Sequence, residues 1–274
     1  MGTIASLVIP TDADGSGPAV EVAAPAADAA RAWLDEVELV LSPFLPNSHL
    51  CRWRCGGLPI DECSPMLREV AHDAVELEDL THGGFTPYDR RGRFDPTGYV
   101  KGWAVQRAVG IVRSAGVPNV CLGVGGDIQT AGYARDGRPW RVAVVDPGDP
   151  HKVLSIVEAP GPDAFAVATS GTSQRGEHIW GPRDRRVRGR LSQRPALASV
   201  TVFGSDLGLA DAFATAVWAH GRHRPLDEAW SWLAGTGYHA LAVAADGSLT
   251  GTPGASEHLI RPGRPRDQVS RLAR

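Results

Sequence analysis

The segment Gly208–Gly221, GLADAFATAVWAHG, is apolar or small on almost every side. As a helix it has no face to offer water, so it must be enclosed by other elements of a substantial core. The chain is long enough to supply one, with 274 residues of which 43% are hydrophobic. The same segment carries Asp211 and Thr215, four residues apart and therefore on one helical face. An uncompensated carboxylate in such surroundings costs on the order of several kcal/mol, so another part of the chain, or a ligand, must compensate it.

The surrounding segments say what encloses this helix. TIASLVIP reads as an edge strand, and residues 26–42 have helical spacing with Ala30, Trp33, Leu34, Val37 and Leu41 on one face. The stretch from Ser42 to Ser64 is rich in Pro and Gly and reads as loop with short turns. A second helix in PMLREVAHDAVELEDLTHG stops at Gly83-Gly84, and a third runs from about Lys101 to Ala115 with Gly116 as its stop. A strand through Val120–Val124 ends in Gly125-Gly126, and strands follow in WRVAVVDP, VLSIVEAP, FAVATSG and ASVTVFG. After the apolar helix, PLDEAWSWLAGTG and YHALAVAADGSL supply a last helix and strand. This order predicts an α/β or α+β body with several antiparallel neighbours. No clean repeat or long linker divides it, so residues 1–274 are expected to form a single domain.

A formal charge of −3, with basic runs confined to short stretches such as RDRRVRGR at 183–190, gives no reason to expect nucleic acid. No apolar run approaches the roughly 20 residues of a membrane span, so no membrane insertion is expected. The first residues lack the pattern of a secretory signal and of a lipid-anchored cysteine, which predicts a cytoplasmic protein with reduced thiols. His49, Cys51, Cys55 and Cys63 do not follow the paired-cysteine spacing of zinc sites, so these thiols are expected to be buried side chains.

Four constellations carry candidate chemistry. Asp211 and Thr215 present a carboxylate and a hydroxyl side by side, half of a hard-oxygen site for Mg²⁺, Mn²⁺ or Ca²⁺. Equally, Asp211 can serve the helix dipole and Thr215 can bond back to the carbonyl of Asp211. In FDPTGYVKGWAV, 94–105, Gly98 permits close backbone approach, and Lys101-Gly102 are expected to open a helix whose free N–H groups attract anions. In GVGGDIQTAG a strand runs into a glycine pair and Asp127, which is also what a tight turn requires. In VATSGTSQRGEHIWGP, Ser170 and His178 lack the G-x-S-x-G elbow that a serine hydrolase of that type needs.

Taken in order, MGTIAS, LSPFLPNSHL, THGGFTP, FDPTGYVKGWAVQRA, GVGGDIQTAG, VATSGTSQRGEHI and SVTVFGSDLGLADAFATA resemble the FAD:protein FMN transferase family, the ApbE-like flavin transferases. The resemblance implies largely antiparallel sheets with helices around a central flavin cleft. It also implies FAD as substrate, a divalent metal (Mg²⁺ or Mn²⁺), and transfer of FMN to a threonine hydroxyl of an acceptor flavoprotein with release of AMP. By the same resemblance Asp211 and Thr215 match metal ligands and Gly98 the position that lends a backbone carbonyl. Asp95 and Lys101 match flavin-nucleotide contacts, while Met1, Phe44, Gly84, Phe85, Thr86, His178, Ile179 and Trp180 fall on positions lining the flavin pocket. A base for the threonine proton is His178, whose ordinary pKa of about 6.5 suits the task, or Asp127.

The chain departs from the family pattern in having Gly181 for the usual Asp after the His-Ile pair, Thr86 for an Asp, and Val100 before the Lys-Gly pair. A metal-dependent FAD pyrophosphatase yielding FMN and AMP, and a non-catalytic FAD-binding protein, remain alternatives at this level.

Overall fold

The structure, a computed structural model, describes residues 4–11, 17–18, 20–89, 91–171, 197–221 and 224–260. The chain opens with strand β1 (Ala5–Val8) and four helices, α1 (Val20–Leu41), α2 (His49–Arg54), α3 (Pro65–Leu80) and α4 (Thr97–Ser114). Strands β2 (Val120–Val124), β3 (Asp127–Ala131), β4 (Arg141–Asp146), β5 (Asp149–Glu158), β6 (Phe165–Gly171) and β7 (Leu197–Gly204) come next. Helices α5 (Leu207–Gly221) and α6 (Leu226–Ala234) precede β8 (His239–Ala244), β9 (Leu249–Gly251) and β10 (Leu259–Ile260).

Seven strands form one sheet in the order β1-β2-β3-β6-β7-β8-β9, and three form a second in the order β10-β5-β4, with every pairing antiparallel. The expected α+β class with antiparallel neighbours is therefore the observed one, and β1 lies at a sheet edge as its sequence predicts. The larger core gathers α1, α3, α4 and α5 with side chains from β2, β6, β7 and β8. A smaller core joins Phe165, Val167, Phe203 and Leu241 of the large sheet to Val142, Val144 and Val157 of the small one. Alternation along β6 divides the work, since neighbouring strand residues point to opposite faces: Ala166 and Ala168 join the larger core, Phe165 and Val167 the smaller. Helix α5 is enclosed as its composition requires, with Leu207, Gly208, Ala210–Ala214 and Ala216–Ala219 buried.

Several local readings change. Helix α1 begins at Val20 and runs through Pro25, a turn and a half before the periodicity becomes visible, because its first residues are mostly exposed and carry no apolar face. The Pro- and Gly-rich stretch holds α2, capped by the Ser48 hydroxyl, which accepts the Cys51 N–H at 3.0 Å. Helix α4 starts at Thr97 rather than Lys101. The Asp95 carboxylate accepts the Thr97 N–H at 3.3 Å and the Pro96 carbonyl accepts the N–H groups of Tyr99 and Val100, both at 2.9 Å. Lys101 accordingly lies one turn inside the helix and Gly98 in its first turn. The glycine pair turns the chain between β2 and β3 with φ of 58° and 92° at Gly125 and Gly126, a turn that matches strand twist and favours glycine at both places.

Candidate functional site

Helices α4 and α5 pack antiparallel and very close. A Cβ added to Gly102 would overlap the Leu207 carbonyl, and one added to Gly98 would lie 3.2 Å from Thr215 Oγ1 and 3.4 Å from Phe85. The two glycines thus remove the side chains that would hold the helices apart, and they leave the backbone of α4 facing Asp211 and Thr215. The Gly102 N–H lies 3.3 Å from Asp211 Oδ2. In a regular helix that N–H serves the carbonyl of the residue four positions earlier, here Gly98, so the carboxylate competes with the Gly98 carbonyl for its donor. Asp211 is only 4% exposed, so its charge must be offset by the groups packed around it, the Gly102 N–H among them.

A second buried acid lies beside the first. Asp127, at the start of β3, has no exposed surface, and Lys101 Nζ reaches it from α4 at 2.5 Å while the Thr169 N–H of β6 donates to its other oxygen at 3.1 Å. The Lys101 side chain keeps 18% exposure, so this cation sits at the boundary between a buried counter-ion and open space. The next residue of β6, Ser170, is buried and its hydroxyl lies 3.2 Å from Thr215 Oγ1. Two successive residues of one strand therefore tie together the Lys101–Asp127 pair and the Asp211–Thr215 pair.

Thr97, Val100 and Lys101 also wall a small concavity of about 50 Å³ whose other side is Leu41, Pro43 and Phe44. Phe44 is 78% exposed and offers an uncovered aromatic face there. Asp95 stands just before α4, half-buried, with Arg54 of α2 behind it. The Arg54 guanidinium donates through Nε to the Phe94 carbonyl and lies 3.5 Å from Asp95 Oδ1, and Trp53 packs its ring 5.1 Å from that of Phe94. Gly84 passes against α5, where an added Cβ would meet Ala216 at 3.1 Å. Phe85 is fully buried beneath Gly98, with its N–H bonded to the Thr81 hydroxyl at 3.0 Å, so its ring forms a floor rather than an exposed wall. Thr86 is half-buried beside it.

Of the residues singled out in the sequence, the structure brings Gly98, Lys101, Asp127, Asp211 and Thr215 together, with Gly84 and Phe85 beneath and Asp95 and Phe44 at the rim. Met1, His178, Ile179 and Trp180 lie outside the described residues. Sequence reasoning gave no place to Arg54, which sits in a segment without periodicity, and considered Ser170 only as a nucleophile; both acquire a role only through contacts 40 and 45 residues away in the chain. The His49 and cysteine group does not converge. Cys51 donates to the carbonyls of Ser42 and Pro43, Cys63 is buried, Cys55 is exposed, and His49 Nδ1 accepts the Ser64 N–H. Cys55 thus departs from the expectation of buried thiols, and all four cysteines are unpaired.

The carboxylate of Asp211, the hydroxyl of Thr215 and the carbonyl of Gly98 are all hard oxygen donors and suit Mg²⁺ or Mn²⁺ better than a thiolate- or imidazole-preferring metal. The bare Gly98 has no side chain in front of Thr215, and Asp211 supplies a buried carboxylate on the same side, so the donor set of these residues fits a divalent cation. Among the described residues the one other convergent group of this kind, His72, Asp73 and Glu76, lies on the outer face of α3, where Asp73 already accepts the Tyr99 hydroxyl at 2.8 Å.

Residues 88–236 match the model of the ApbE family. A protein of Vibrio cholerae named FAD:protein FMN transferase is 34% identical over 128 residues, 45% of this chain and 37% of that protein. One of the same name from Rhodobacter capsulatus is 32% identical over 186 residues, 66% of this chain and 34% of that protein. The chain therefore spans about a third of the length of the curated relatives it matches. Among solved structures, the apo form of Pseudomonas stutzeri flavinyl transferase ApbE superposes with a TM-score of 0.71 at 20% identity, covering 93% of this chain and 96% of that one. The flavin transferase ApbE from Vibrio cholerae gives 0.71 at 20% identity, covering 94% and 96%. These structures share the fold.

Proposed function

The chain belongs to the ApbE family, and from that premise we propose that it moves the FMN part of FAD onto a threonine hydroxyl of an acceptor flavoprotein, with Mg²⁺ or Mn²⁺ at Asp211, Thr215 and the Gly98 carbonyl. The observation that carries this reading is the convergence of Lys101, Asp211 and Thr215 across the α4–α5 contact, beside a cleft with an exposed aromatic wall at Phe44. In the reaction the threonine oxygen forms a bond to the FMN phosphorus, the bond from that phosphorus to the bridging oxygen breaks, and AMP leaves with the electron pair. The bound cation would supply neutralisation of charge on the diphosphate.

The chain's own groups position the reactants. Lys101, held by Asp127, points a single positive charge at the rim where the diphosphate would lie, and its orientation is fixed before substrate arrives. Phe44 offers a flat apolar face for the isoalloxazine. Asp95, steadied by Arg54 and the Thr97 N–H, offers an acceptor to the nucleotide at the start of α4. Both Asp127 oxygens already have partners in Lys101 and the Thr169 N–H, which favours His178 as the group that takes the threonine proton.

Incubation with FAD, Mg²⁺ and candidate acceptor proteins tests this. Transfer yields AMP together with a protein carrying covalent flavin, seen as in-gel fluorescence and as an added FMN mass. AMP with free FMN alone would replace transfer by pyrophosphatase action, and binding of FAD without AMP would refute turnover altogether.

A further inference from the structure

Resting on the metal assignment just given, we propose that Ser170 is a positioning residue for the cation. Its hydroxyl oxygen accepts a hydrogen bond from the Thr215 O–H, so that the Thr215 oxygen presents a lone pair to the metal.

The 3.2 Å contact between Ser170 Oγ and Thr215 Oγ1 is the one side-chain hydrogen bond of either residue among the described residues. A threonine inside a helix commonly bonds back to the carbonyl four residues earlier, here Asp211. In α5 the hydroxyl reaches across to β6 instead. Ser170 is only 7% exposed, so water does not readily take its place as a partner.

In a pair of hydroxyls either oxygen can donate, and what fixes the direction is whatever else binds one of them. A hydroxyl oxygen that shares a lone pair with a cation becomes a weaker acceptor and a stronger donor. Occupation of the metal site would therefore turn the Thr215 proton toward Ser170, and the Ser170 oxygen would hold the threonine rotamer in place. The strand that carries Ser170 is itself anchored to the site one residue earlier, through the Thr169 N–H on Asp127. The acceptor is thus fixed relative to both halves of the site.

Titration of the metal-free chain with Mn²⁺, followed by electron paramagnetic resonance of the free ion, tests the proposal without any turnover. Loss of a group that orients a metal ligand typically costs about 10–100-fold in affinity, so Ser170→Ala is expected to weaken Mn²⁺ binding at least about 10-fold, and Ser170→Thr, which keeps the hydroxyl, to restore it. Should the alanine variant not fold, Ser170→Cys gives the same comparison with a nearly isosteric, far weaker hydrogen-bonding group. Wild-type affinity in a folded Ser170→Ala while Thr215→Val loses the ion would overturn the role of Ser170 and leave the metal site standing. A Ser170→Thr variant as weak as Ser170→Ala would assign the loss to packing and also overturn it. Unchanged binding in Thr215→Val and Asp211→Asn would remove the metal assignment and the proposal together.

Discussion

Lys101→Met isolates the consequence of burying Asp127. The substitution keeps the length and apolar stem of the side chain and removes the one cation that, among the described residues, is paired with a carboxylate of no exposed surface. Among the described residues, what then remains on Asp127 is the Thr169 N–H at 3.1 Å. Breaking a buried pair by deleting one partner costs about 3–5 kcal/mol. The lower end applies here because the lysine side retains 18% exposure and admits some water. A domain of this size loses about 2–4 °C in Tm per kcal/mol, so about 3 kcal/mol becomes a fall of about 6–12 °C. The assay is thermal unfolding of the two single variants, Lys101→Met and Asp127→Asn, and of the double variant. Asparagine removes the orphaned charge, so the double variant should melt above Lys101→Met alone. If Lys101→Met melts within about 2 °C of the parent, or if the two substitutions simply add, the ion pair does not hold the base of this site and the argument from burial is refuted.

Three further outcomes follow from other contacts. Gly102→Ala should destabilise the fold: the intrinsic helical gain of about 1 kcal/mol is outweighed by overlap with the backbone carbonyl of Leu207, which cannot step aside as a side chain would, and a lower urea midpoint would register it. Asp211→Asn keeps the shape of the side chain and an oxygen for the Gly102 N–H but removes the charge, so the Mg²⁺ concentration needed for half-maximal AMP release should rise at least about 10-fold, the order expected when a ligand is weakened; an unchanged requirement would place the cation elsewhere. Burial and the neighbouring His258 hold the imidazole of His239 below its ordinary pKa, so the folded state resists its protonation. Stability from this residue is present above about pH 6.5 and is lost as pH falls through the depressed folded-state value, so Tm should drop on acidification from pH 7 to pH 5. The drop should be smaller in His239→Gln.

The helices that bury one face were legible because helical periodicity is a local property. Ala30, Val37 and Leu41 on α1 announce themselves by spacing alone, and α5 announces its burial by having no polar side. Helix α2 was hidden because six residues between prolines and glycines offer less than two turns of pattern. The start of α4 was misplaced because Pro96 and Gly98 look like loop residues, while the caps that begin the helix come from Asp95 and the Pro96 carbonyl. β3 was not foreseen as a strand: its central residues Gln129 and Thr130 are polar yet buried, a pattern that composition does not separate from a turn.

The sequence by itself determined that a wholly apolar helix with an acid and a hydroxyl on one face lies at the centre of an antiparallel α+β body, since spacing along one helix fixes which side chains share a face. Only the tertiary structure decided what those two groups meet. Gly102 to Asp211, Lys101 to Asp127 and Ser170 to Thr215 span 109, 26 and 45 residues, and each depends on how closely α4, α5 and β6 pack. Close packing of that kind depends on side-chain volumes summed over many elements, and no pattern within a single segment records it.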